Sequence, residues 1–102
     1  MYMRIIWGRV RSGQWGQYED AYRRVLGPHR DIAGLQGRWL ARDVANPDTG
    51  YSVSLWTSEE AMVAYEKSDL FHQQIKPALQ PYFVDDFTTA HCEVRVMETF
   101  SR

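Results

Sequence analysis

The sequence of 102 residues predicts a single α+β domain, an antiparallel sheet with both helices on one face. Three observations predict it. Four segments are rich in β-branched and aromatic residues and are bounded by turn-formers, as strands are. Two others repeat apolar residues at helical spacing. Their order, β-α-β-β-α-β, is that of the split βαβ, ferredoxin-like plan.

Met3 to Arg11 is the first strand, rich in Ile, Val and Trp and broken by Ser12-Gly13. Trp15, Tyr18, Tyr22, Val25 and Leu26 follow one helix face, and Gly27-Pro28 stops that helix. After a loop, Leu35 to Val44 is the second strand. The run Asn46-Pro47-Asp48-Thr49-Gly50 is dense turn chemistry, so a hairpin leads to the third strand, Tyr51 to Trp56. Thr57-Ser58-Glu59-Glu60 offers a capping-box start, with Glu60 three residues after Thr57. The second helix runs through Ala61, Met62 and Tyr65, and Ser68-Asp69 caps a further helical piece. There Phe71, Ile75, Ala78 and Leu79 share a face, and Pro77 kinks or ends it. Val84 to Met97 is a long final strand. No repeat, low-complexity tract or linker divides residues 1–102.

Composition narrows the class. With 44% hydrophobic residues and a net charge of −1, the chain is not a disordered one. No apolar run approaches the roughly 20 residues of a membrane span, and the N-terminus reads without a signal peptide. Cys92 is the only cysteine, so no disulfide forms within the chain, and the expectation is a cytoplasmic protein. Residues 1–42 carry eight arginines against three acids, and residues 43–102 carry four bases against ten acids. The arginines are scattered, so solvated faces and ion pairing between the halves are expected, with no nucleic-acid surface.

Alternation on the third strand assigns the faces of the sheet. Tyr51, Val53 and Leu55 share one face; Ser52, Ser54 and Trp56 share the other. An apolar sheet face left in water invites association, so the Val53/Leu55 face is expected to meet a homodimer partner. The serine face then points at the helices, where small side chains leave a pocket beside Trp56.

The stretch Gly50-Tyr51-Ser52-Val53-Ser54-Leu55-Trp56-Thr57-Ser58-Glu59-Glu60-Ala61, followed by Tyr65, Ser68-Asp69-Leu70-Phe71-His72 and Pro77, resembles the antibiotic-biosynthesis monooxygenase domain. Gly34-Leu35-Gln36-Gly37 adds to the likeness. The resemblance implies a dimeric α+β barrel and a monooxygenase acting on an aromatic, polyketide-like quinol or anthrone. It implies O₂ as co-substrate and no cofactor. Non-oxygenase members, small-molecule binders or cyclases, share the fold. In the family's haem-degrading branch, a helix tryptophan, a haem-ligating histidine and a strand asparagine align here with Tyr65, Ile75 and Gly8. All three depart, and haem is not expected. In the quinol-oxygenating branch the strand-closing tryptophan is matched by Trp56, an asparagine corresponds to Ser52 and a tyrosine to Met62.

Oxygenation of such a ring needs a base, a donor for the developing oxyanion and a dry aromatic wall. His72 is the candidate base, since its unperturbed pKa of about 6.5 suits transfer near neutrality. Tyr65 is the candidate donor and Trp56 the flat wall. Ser52, Ser54, Met62 and Phe71 are expected to contact the substrate. No metal is expected, because the chain lacks paired-ligand spacing such as His-x₃-His or Cys-x₂-Cys. His91 and Glu93 share a face of the last strand, with Cys92 opposite, which denies a Cys–His pair. An RNA-recognition domain has the same element order, but Thr49, Val53 and Ile6 stand where its basic and stacking residues belong, and Asp85, Asp86 and Glu93 would repel phosphate.

Overall fold

The computed structural model describes residues 1–85 and 87–101. Four strands, β1 (Tyr2–Arg9), β2 (Leu35–Arg42), β3 (Thr49–Trp56) and β4 (Thr88–Glu93), form one sheet in the order β2-β3-β1-β4. Every neighbouring pair is antiparallel. Helices α1 (Trp15–Leu26) and α2 (Glu59–Lys67) lie on one face, followed by a π-helical turn (Leu70–Ile75), α3 (Lys76–Leu79) and a 3₁₀ turn (Gln80–Tyr82). The predicted element order holds.

Register explains the two faces. Arg38, Ser54, Arg4 and His91 lie side by side across the sheet, and Leu40, Ser52, Ile6 and Thr89 form the next row on the same face. The helices cover these rows. Trp39, Val53, Ile5 and Ala90 make a row on the opposite face, beside Leu55 and Met3. No element covers that face among the described residues, and Trp39 is 52% and Tyr51 42% exposed.

Local chemistry sets the helix ends. Helix α1 buries Trp15, Tyr18, Ala21 and Leu26, and Arg38 reaches from β2 to its end, donating to the carbonyls of Leu26 (3.0 Å) and His29 (2.7 Å). The cap of α2 is Ser58, whose hydroxyl accepts from the Ala61 amide at 3.1 Å; this corrects the expectation of Thr57. The Lys76 amide bonds to the Phe71 carbonyl five residues back, and Pro77 has no N–H to continue an α-helical ladder. The π-turn keeps Phe71 and Ile75 buried but rotates Ala78 to the surface, so Ala78 does not share their face.

The last strand is shorter than Val84 to Met97. Val84 bonds to Arg9, regular pairing resumes only at Thr88, and the bond from Val94 to Met1 is the last before β1 has no further residue to offer. Asp86, counted among the acids of this strand, lies outside the described residues. The core gathers Trp15, Tyr18, Trp56, Met62, Ile75 and their neighbours between sheet and helices.

Candidate functional site

Between the sheet and the helices lies a cavity of about 60 Å³, walled by Arg4 and Ile6 of β1, Tyr22 of α1, Ser52 of β3, Tyr65 of α2 and Phe71 of the π-turn. A second lobe of about 30 Å³ shares Arg4, Tyr22, Ser52 and Tyr65 and extends to Arg38, Ser54 and Trp56. Small serines on the inner face of β3 leave this space, while rings close it. Trp56 and Tyr65 stand 5.1 Å apart between centroids, and Tyr65 and Phe71 5.3 Å. Phe83 and Phe87 complete the far end of the larger lobe.

Among the described residues, the buried charge in this wall is Arg4, 7% exposed. Its Nε donates to Glu66 at 2.5 Å, and its guanidinium carbon sits 4.9 Å from the centroid of Phe71 and 5.8 Å from that of Tyr65. Glu66 also pairs with His91 Nε2 at 2.9 Å. Burial pushes the Glu66 carboxyl up, but the hydrogen bonds and charges of Arg4 and His91 outweigh it, and the net shift is downward. Burial pushes the Tyr65 phenol up to about 12, so Tyr65 is a neutral donor and not a base near neutral pH. Tyr22 is raised by burial too, partly offset by its hydrogen bond with the Ser52 side chain and by Arg38.

The expected site residues divide. Trp56, Tyr65, Ser52, Ser54 and Phe71 line one or both lobes. Ser54 accepts from Trp56 Nε1 at 2.8 Å, so the indole N–H is already partnered. His72 is exposed and lines neither lobe; its ring meets the outer edge of Phe71 at 5.5 Å. The π-turn explains this correction, since it turns Phe71 and Ile75 inward and leaves positions 72–74 facing water. Met62 is fully buried in the core and touches neither lobe. Arg4, Glu66 and Tyr22 were not anticipated as site residues. The signal for Arg4 is its parity: β1 pairs with β3, and Arg4 falls opposite Ser54 on the serine face.

No group of three or more His, Cys, Asp or Glu side chains could hold a metal ion among the described residues. Were a haem to bind here, Tyr22 and Tyr65 are the lining side chains of a type that could ligate its iron, although burial disfavours the phenolate that would do so, and Arg4 could pair with a propionate. No helix among the described residues is long and apolar enough to cross a membrane.

The antibiotic biosynthesis monooxygenase family matches residues 1–77. No curated protein sequence matches the chain. Among solved structures, a protein of Bordetella bronchiseptica provisionally named an antibiotic biosynthesis monooxygenase superposes with a TM-score of 0.81 at 20% identity, over 94% of this chain and 97% of that one. A conserved protein from Methanosarcina mazei gives 0.75 at 14% identity, over 89% and 90%. A heme-degrader from Mycobacterium tuberculosis with two hemes bound in its active site gives 0.82 at 18% identity, over 97% and 100%. That neighbour corrects the expectation of no cofactor and no haem. A chain of this fold holds haem, so the departures at Gly8, Tyr65 and Ile75 do not exclude it.

Proposed function

The chain belongs to the antibiotic biosynthesis monooxygenase family, and from that premise we propose that it is a monooxygenase acting on an electron-rich aromatic compound of the quinol or anthrone class. The observation that carries this reading is the aromatic-walled cavity between sheet and helices, with Arg4 as its buried charge. Trp56, Tyr65 and Phe71 present flat surfaces to a ring. The neutral Tyr65 phenol is the donor for a substrate oxygen, and the rings give the reacting carbon a mostly apolar surround. In this reading Ser52 and Ser54 are the small residues that make room, and Ser54 also accepts from the Trp56 indole N–H. The uncovered Val53/Leu55 face is the homodimer surface of the proposal, and the setting is cytoplasmic.

One observation favours a second reading, a binder without oxygenation: among the described residues, the cavity wall carries neither an imidazole nor a carboxylate to take a proton. Oxygen uptake separates the two. With a naphthohydroquinone or an anthrone, and with and without added haem, O₂ consumption should rise in proportion to protein, with ¹⁸O from labelled O₂ entering the product. Binding of the ring without uptake above the spontaneous rate, in either condition, would leave only the binder.

A further inference from the structure

We propose that the cavity selects aromatic ligands carrying an anionic oxygen, a carboxylate or an acidic phenol or enol that ionises on binding, with that oxygen on the Nη groups of Arg4. The proposal rests on the reading of this cavity as the ligand site and goes further, to the charge of what enters it.

Three independent features support it. First, Arg4 has donors left over. A guanidinium carries five N–H groups, and buried donors are almost always matched. The only protein hydrogen bond of Arg4 among the described residues is that of Nε to Glu66. No side-chain nitrogen or oxygen sealed from solvent lacks a partner among the described residues, so the Nη groups open onto accessible space. Arg4 lines both lobes, and the residue itself is nine-tenths buried, which makes the cavity that space.

Second, the charge around the cavity is not balanced. Lys76 lines the larger lobe and Arg38 the smaller, alongside Arg4. Among the described residues Arg38 bonds only to backbone carbonyls, those of Leu26 and His29 at the end of α1, and has no carboxylate partner. Against three cations stands Glu66, which Arg4 shares with His91. An anion entering the cavity meets a net positive wall of low dielectric, where a charge pair is stronger than in water.

Third, the guanidinium is oriented. Glu66 holds its Nε edge, while the Phe71 ring at 4.9 Å and the Tyr65 ring at 5.8 Å flank it. Held on that edge, the Nη groups form the planar fork that matches a carboxylate, or present one strong donor pair to a phenolate. A ring attached to that oxygen then extends along Tyr65 and Tyr22. The fixed positive charge lowers the pKa of an acidic phenol, whose proton is released to bulk water as the anion binds, without His72.

Calorimetry on the intact protein at pH 7.5 tests this with three probes of one shape. 2-Naphthoate should bind roughly ten- to hundredfold tighter than 2-naphthamide, the weight of a charge-assisted hydrogen bond over a neutral one. 2-Naphthol should bind with the absorption of its naphtholate at a pH below its solution pKa if phenols are a source; if it binds unionised while naphthoate keeps its advantage, carboxylates are the source. Arg4→Met should erase the acid-over-amide preference, and Arg4→Lys, which keeps a charge for Glu66 without the fork, should retain part of it. Because the acid-to-amide ratio is read on the unmodified protein, a variant that fails to fold does not blunt the test. Equal affinities for acid and amide would overturn the anion selectivity while leaving the cavity as a ligand site. No binding of any probe would overturn both.

Discussion

A buried guanidinium needs a compensating charge, and Arg4 finds one in Glu66 from the second half of the chain. Replacing Glu66 by Gln keeps a hydrogen-bonding group but removes the compensating charge, and should destabilise the fold at neutral pH by about 1–2 kcal/mol in urea unfolding. The pH dependence has a definite sign. The folded-state pKa of Glu66 lies below its ordinary 4.5, so its contribution is present above pH 4.5 and is lost as pH falls through the lowered value. Stability of Glu66→Gln should therefore fall less steeply than wild type below pH 4.5; equal slopes would remove Glu66 from the acid transition. Tyr65→Phe should lower turnover of a quinol about tenfold while preserving the fold, since it deletes one donor of roughly 1–1.5 kcal/mol and keeps the ring. At this scale the sequence was partly legible. Serines facing helices announced a cavity, and Trp56 announced its wall. Arg4 was hidden because both faces of β1 are apolar around it, so only its register against β3 reveals that it points inward.

Elements place these residues through their ends and irregularities. The π-turn at Leu70–Ile75 puts Phe71 beside Arg4 and turns His72 outward, a consequence of hydrogen-bond register that side-chain spacing cannot disclose. The hairpin and the limits of α1 were readable because Gly, Pro and Asn mark them in the sequence; the ends of the first and last strands were not, because pairing partners set them, nor was the capping residue of α2, since Thr57 and Ser58 both carry a hydroxyl until the backbone chooses. Ser58→Ala should cost about 1 kcal/mol of stability in urea unfolding. Gly34 makes the sharper case. Its φ is +84°, and a Cβ there would run into the Ala61 side chain of α2. Gly34→Ala should lose at least about 1–2 kcal/mol from the left-handed conformation alone; an unchanged unfolding midpoint would show that the loop before β2 can relax without disturbing α2.

The whole molecule shows why charge and apolar pattern were more readable than chemistry. The excess of arginine in the first half meets the acids of the second in the Arg4–Glu66 and Arg9–Asp85 pairs, as the uneven composition implied. The inner and outer faces of the sheet follow from the alternation of β3, and the outer face keeps Trp39 and Tyr51 in water. The proposed dimer would cover it, with upwards of roughly 1,200 Å² buried in total. Sedimentation should then find a dimer at micromolar concentration, and Leu55→Lys should dissociate or aggregate it; a stable wild-type monomer would reject the dimer. In the proposed reading, substrate selection falls to the few side chains of the cavity, where one buried charge matters more than any pattern along the chain. The most direct measurement of that central claim is an amide and methyl NMR titration with 2-naphthoate. The largest shifts should gather at Arg4, Ile6, Ser52, Tyr65 and Ile75, around the cavity between sheet and helices. Shifts gathered instead on the outer row of Ile5, Trp39 and Val53, or along the open groove of α2 near Glu60 and Lys67, would contradict it.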